Sequence, residues 1–207
     1  MNDHEPIWLE QALKGNAASF GRLVEHYQTP VFNLCYRMLG DPYEAEDAAQ
    51  EAFLRAYQNM HRYDTQRPFS TWLLSIAAHY CIDQIRKRRI HWLSLDDLPH
   101  LDPPDTQPGP EPALNLHEEQ NKIQGLLSSL NPQDRATVVM RYWYEFSYEE
   151  IAEALDLTVS AVKSRLHRSR QSLAETWQSQ ESQTTGASLR PLGKELKHDE
   201  PARSPAF

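Results

Sequence analysis

Lys163, Arg165, His167, Arg168 and Arg170 crowd five basic or imidazole side chains into eight residues, alongside apolar positions Val159, Val162, Leu166 and Leu173 that recur at three- and four-residue steps. At about 100° per residue, those apolar positions fall on one narrow helical stripe. The opposite side is left to Ser160, Ser164, His167, Arg168 and Gln171, with Lys163 and Arg165 on its flanks. A helix that buries one stripe and offers hydrogen-bond donors on the other has the chemistry needed to read base edges in a DNA major groove. A generic hairpin with a solvated face is the plainer alternative, but it leaves the concentration of cations off the stripe unexplained.

Two other constellations invite chemistry. Glu44, Asp47 and Glu51 share a helical face and could begin a carboxylate metal site, but that site needs a Glu-x-x-His on a facing helix, which none of the expected helices carries. A solvated or partner-facing acidic stripe is the better reading. With no glycine-rich phosphate loop, nucleophile elbow or His-Glu-x-x-His element, catalysis has no evident home, and no cofactor or metal is implied. The stretch His61 to Ser70 mixes aromatics with Arg62 and Arg67, beside a helix ending in Arg86, Lys87, Arg88 and Arg89. Aromatic faces stack on unpaired bases while cations follow the backbone, which suits single strands or an opened duplex. Tyr63, Phe69 and Trp72 could instead be core, the better reading for Phe69 and Trp72, and the basic run could simply favour a helix C-terminus.

The elements that would position these groups are legible from their boundaries. Ser147-Tyr-Glu-Glu150 is a capping box opening a short helix, Asp156 falls in the following turn, and Thr158 can cap the cation-bearing helix. Asp41-Pro-Tyr-Glu44 and Asn131-Pro-Gln-Asp134 are two more cap-then-proline starts. Helices are expected over about 5–14, 16–39, 41–60, 68–89 and 114–130, with Gly15 and Gly40 as punctuation. Alanines at 45, 48, 49, 52 and 56 give the third of these a small-residue face fit for close packing.

A chain of 207 residues with 24% charged and 40% apolar residues suits one large soluble domain or two small ones. Its net charge of -8 looks wrong for a nucleic-acid binder, but five acids and no Lys or Arg lie between Asp96 and His117, while basic residues cluster elsewhere. Local patches govern contact with phosphate. The same segment holds six prolines, so residues 96–117 read as an acidic linker between domains at 1–95 and 118–177. About 20 extended residues reach on the order of 65 Å, enough to hold two domains far apart on one large partner, and composition alone supports a plain flexible tether equally well. The polar stretch 178–207 reads as a disordered tail. Cys35 and Cys81 sit in apolar helical patterns and read as core thiols. An acidic N-terminus and the lack of any long apolar run argue against a secretory signal or membrane insertion, so the cytoplasm is the expected location.

In this order, these pieces resemble a bacterial RNA polymerase sigma factor of the extracytoplasmic-function class. The resemblance is carried by Ala45-Glu-Asp-Ala-Ala-Gln-Glu-Ala-Phe-Leu-Arg-Ala-Tyr57 with Thr71-Trp-Leu-Leu-Ser-Ile76, similar to region 2, and by Ser147 to Arg170, similar to region 4. It implies an all-helical fold of two small domains joined by a flexible linker. It also implies a promoter-specificity subunit, often of stress responses, that does no chemistry of its own. Asp47, Gln50, Glu51 and Phe53 would dock on the clamp helices of the polymerase largest subunit, and region 4 on its flap region. Arg62, Tyr63 and Asp64 would capture a flipped base of the minus-ten element, and the helix through Arg86, Lys87, Arg88 and Arg89 would hold the opened promoter. Lys163, Ser164, His167 and Arg168 would read minus-thirty-five bases, with Ser160, Arg165 and Arg170 on phosphates. The linker would lie in the polymerase's nucleic-acid channel, and an anti-sigma protein would be the regulator. Ser160-Ala161 replaces the Gly-Thr common in the family, so the bases read stay open. A free-standing helix-turn-helix regulator and a metal enzyme built on Glu44, Asp47 and Glu51 are the rival readings.

Overall fold

The computed structural model describes residues 4–95 and 114–187, with side chains over 4–89 and 120–179. Among these residues all regular structure is helical: α1 (Glu5–Leu13), α2 (Ala17–Leu39), α3 (Pro42–Gln58), a 3₁₀ turn (Met60–Arg62), α4 (Phe69–Leu95), α5 (Leu114–Ser129), α6 (Pro132–Trp143), α7 (Tyr148–Ala154) and α8 (Val159–Ala187). The expected proline-rich linker lies mostly outside the described residues, although α5 begins inside its C-terminal end. Helix α8 continues to Ala187, well beyond Trp177, where a disordered tail was expected to begin.

Side chains set the boundaries. Asn16 accepts from the Ser19 N–H at 3.1 Å to start α2, and Asp41 accepts from the Glu44 N–H at 2.9 Å to start α3, where Pro42 occupies a position with no partner for an N–H. Gly40 ends α2 at φ 84°, a conformation that disfavours a side chain, and a Cβ there would lie 3.0 Å from Gln124 Nε2. The Ser147–Glu150 capping box forms in both directions, Glu150 N–H to Ser147 Oγ at 3.1 Å and Ser147 N–H to the Glu150 carboxylate at 2.7 Å. Asp156 turns the chain at φ 53°, and Thr158 Oγ1 accepts from the Ala161 N–H at 3.1 Å to start α8.

Helix α2 is the spine of the first bundle and packs against α1, α3 and α4. The α3 face toward it is Ala45, Ala48, Ala49, Ala52 and Ala56, all buried, so the two backbones approach closely. Cys35 and Cys81 are fully buried, where hydrogen bonding from Cys35 and burial push the Cys81 thiol up, as befits inert core residues. In the second bundle, Val162 and Leu166 of α8 are buried against a core that includes Val139, Met140 and Ile151.

The two bundles touch. Helix α2 also contacts α5 and α6, and α4 contacts α6 and α7. Tyr144 donates to the Pro30 carbonyl at 2.6 Å, and the Arg37 guanidinium sits 5.0 Å from the Trp143 ring centre. Arg135 is 7% exposed and donates to the carbonyls of Met38, Ser128 and Leu130. These carbonyls close the C-terminal ends of α2 and α5, where helix dipoles favour a cation, so a buried guanidinium is held by oriented carbonyls. Burial lowers its pKa.

Candidate nucleic-acid interface

On α8 the caps and the apolar stripe fix which side faces out. Val162 and Leu166 point into the bundle, and Lys163, Ser164, His167, Arg168 and Arg170 are all exposed, as is Ser160 one turn earlier. Four candidate base readers therefore share an open face backed by a rigid core. Lys163 Nζ lies 5.6 Å from the centre of the Tyr148 ring, which steadies it without covering it. Arg170 Nε donates to its own helix at the Leu166 carbonyl, 3.2 Å away. Arg165 is different. Its guanidinium pairs with Asp134 at 2.5 Å and with Gln133 Oε1 at 2.9 Å, and only 22% of its side chain is exposed. A residue expected to touch phosphate thus clamps α8 to the start of α6. Ser169 is buried beside Leu166 and completes the inward face that the apolar spacing left open.

The second surface surrounds the loop after α3. Tyr63 and Phe69 are buried, and with Tyr27 and Trp72 they form an aromatic cluster with ring centres 5.1–5.6 Å apart. The Tyr63 hydroxyl donates to the Arg67 carbonyl, so the ring shapes the loop, and in this conformation its face is not free to stack on a base. Burial and the nearby Glu5 carboxylate raise its pKa. Arg62 and Asp64 remain exposed. Beside them opens a groove of about 320 Å³ lined by Arg55, Asn59, Arg62, Trp72, Ile76 and His79 among others. Trp72 supplies it with an aromatic wall, and sequence reasoning missed Arg55, Asn59 and His79 there. Arg86, Lys87 and Arg89 are exposed farther along α4, whereas Arg88 pairs with Glu44 at the start of α3. Partial burial lowers the Arg88 pKa, opposed by Asp41.

The third surface is a groove of about 390 Å³ between α2 and α3, lined by Val24, Gln28, Thr29, Phe32, Glu46, Ala49, Gln50 and Phe53. Gln50 and Asp47 are exposed, Phe53 is a buried wall of the groove, and Glu51 pairs with Arg55 at 2.7 Å. The α2 half went unrecognised in the sequence, although Val24, Gln28 and Phe32 at four-residue steps form a second stripe beside the buried one. Glu44 and Glu51 of the acidic trio are thus each paired with an arginine.

Residues 23–90 match the family Sigma-70 region 2, and residues 120–173 match Sigma-70, region 4. The chain is 38% identical over 172 residues to the ECF RNA polymerase sigma factor SigW of Bacillus subtilis, covering 80% of this chain and 92% of that protein. The chain belongs to the ECF group of the sigma-70 family. As a sigma factor it acts in promoter-directed initiation of transcription with RNA polymerase, and its relatives are initiation factors in place of enzymes. The fold of this sigma factor is also that of CnrH, solved in complex with the cytosolic domain of CnrY (TM-score 0.63, 24% identity, 86% of this chain and 99% of that chain). RpoE of Bartonella quintana, solved with the anti-sigma factor NepR, shares it too (TM-score 0.61, 21% identity, 77% and 96%). Among the described residues of this sigma factor, no helix is long and apolar enough to cross a membrane.

Proposed function

We propose that this sigma factor grips a promoter at two points. Helix α8 reads the minus-thirty-five element through Lys163, Ser164, His167 and Arg168, with Ser160 and Arg170 on phosphates. The loop and groove around Arg62 and Asp64 take an unpaired base of the minus-ten element, with Arg86, Lys87 and Arg89 along the opened strand. The observation that carries this reading is the exposed row on α8, directly opposite the buried Val162 and Leu166. Lys and Arg suit the acceptors of guanine, while Ser and His can serve either donors or acceptors. Trp72, half-buried in the groove wall, offers the flat apolar surface that a displaced base requires.

The α2–α3 groove is the surface for the clamp helices of core polymerase, because it joins an apolar floor of Phe32 and Phe53 to the polar rim of Gln28, Glu46 and Gln50. Region 4 docks on the flap region, and an anti-sigma protein, as NepR is to RpoE, is the regulator. The test is co-purification of the full chain with core polymerase. Stoichiometric association is expected, and a chain that does not bind core under any ionic condition overturns the reading.

A further inference from the structure

A crevice of about 550 Å³ opens between α4 and the α5–α6 turn. Ile85, Arg86 and Arg89 line it from α4, residues 128–133 line it from the turn, and Arg135 of α6 completes it. Three arginines thus share one opening, and among the described residues no carboxylate lines it. Arg86 and Arg89 are exposed, and the one acid near either, Asp83, stands 4.0 Å from Arg86, at the limit of an ion pair. Arg135 is 7% exposed. Its terminal nitrogens donate to the carbonyls of Met38, Ser128 and Leu130, its Nε N–H is buried without a partner, and burial alone shapes its titration, with no acid set against its charge. A buried cation held by carbonyl dipoles keeps its field, and protein walls focus that field on the opening. The twelve-residue helix α6 starts in the same wall at Pro132, so its positive dipole end adds to the field. Asp134 in its first turn does not cancel it, being neutralised by Arg165 at 2.5 Å.

We propose that this crevice binds a small polyphosphate, free or carried on a nucleoside. Charge and size select that class. Guanidinium forks match phosphate oxygens in pairs, and a chain of phosphates can meet several arginines where a single phosphate meets one or two. The volume falls within the range of about 300–1,000 Å³ usual for small-molecule sites. A terminal phosphate has three free oxygens and can enter end-on, whereas a phosphodiester in a nucleic-acid strand has two and its chain must leave in both directions. A crevice walled by the α5–α6 turn therefore favours the small ligand. Ile85, Leu130 and Pro132 offer an apolar face to a nucleoside.

The site stands on this geometry, while its consequence rests on the promoter reading above. Arg86 and Arg89 serve both the crevice and the proposed path of the opened strand. Bound polyphosphate and strand then compete for the same two guanidiniums.

Isothermal titration calorimetry of the full chain, at fixed ionic strength and without divalent metal, tests the site. The probes are inorganic tripolyphosphate, a nucleoside triphosphate, orthophosphate and a single-stranded tetranucleotide with hydroxyl ends. Tripolyphosphate and the nucleoside triphosphate should bind one-to-one, at least about tenfold tighter than orthophosphate. Equal affinity for the two identifies a site for phosphates alone, and a tighter nucleoside triphosphate brings in the apolar face; either upholds the site. Gln133→Glu keeps the acceptor that Arg165 uses but sets a carboxylate in the crevice. It should weaken both ligands by at least about tenfold with thermal stability retained, and Arg89→Gln should do the same. Lys122→Gln, exposed on α5 outside the lining, should change affinity by less than about twofold, as expected of a screened distant charge. Lack of saturable binding overturns the proposal, as does binding that Gln133→Glu leaves intact. So does a tetranucleotide that binds as tightly as tripolyphosphate and loses as much on Gln133→Glu, since the crevice would then belong to the strand's path. If tripolyphosphate binds as expected but does not displace the tetranucleotide, the site stands and the strand role of Arg86 and Arg89 fails.

Discussion

Arg165 and Arg168 stand three residues apart on one helix, yet only one is free to meet DNA. Arg165 is taken by Asp134, a residue 31 positions away that is itself buried, so the pair anchors α8 on α6. Arg165→Ala should therefore lower the stability of region 4 by about 1–3 kcal/mol, because Asp134 is left without its charged partner. Urea denaturation measures this, and an unchanged midpoint would place Arg165 back among the phosphate contacts. Arg168→Ala should leave stability unchanged and cost about 1–3 kcal/mol of binding at one minus-thirty-five base pair. Transcription from single-base promoter variants locates that position, and a uniform loss across all of them would make Arg168 a phosphate contact. The sequence placed Lys163, Ser164, His167 and Arg168 correctly on an outward face because helical periodicity is local. It set Arg165 among the phosphate contacts and left Tyr63 between base capture and core, because the partners that bury these groups arrive from other elements.

At the scale of elements, the caps account for most of what the sequence revealed. Asp41, Asn131, Ser147 and Thr158 each accept from the N–H three residues on, as their positions before helical runs implied. Ser147→Ala removes one half of the capping box and should cost about 1 kcal/mol in urea denaturation, with the α7–α8 fold retained. Asp156→Ala, at φ 53°, should cost about 1–2 kcal/mol by the same measurement, while Asp156→Asn should be nearly neutral because Asn tolerates the left-handed turn. If Ala and Asn behave alike, the turn conformation is not what selects Asp. Pro30 sits inside α2 without ending it, as the helix expected over 16–39 requires, because packing of the buried α2 stripe outweighs one lost backbone bond. One feature escaped the pattern. Helix α8 passes Trp177 because nothing in that polar stretch breaks a helix before Gly186.

At the scale of the whole molecule, two helical bundles on a proline-rich tether were legible in composition, charge runs and punctuation. Their mutual packing was not, since it depends on Arg135, Tyr144 and Trp143 finding the far end of α2. The polymerase-facing groove was half visible, because α3 carries the recognisable stretch while the α2 stripe is ordinary in type. Gln50→Arg on the rim of that groove should reduce co-purification of core polymerase by at least about tenfold, through a bulky misplaced charge at the docking surface, with no change in thermal stability. Retained association would move the docking surface elsewhere. The account as a whole stands on the chain directing core polymerase to a start site through both grips. Run-off transcription with purified core enzyme and a genomic promoter library tests this most directly. The account predicts transcripts from a discrete promoter set sharing two sequence elements, with the upstream preference altered by Arg168→Ala; unselective transcripts, or none beyond those of core alone, would contradict it.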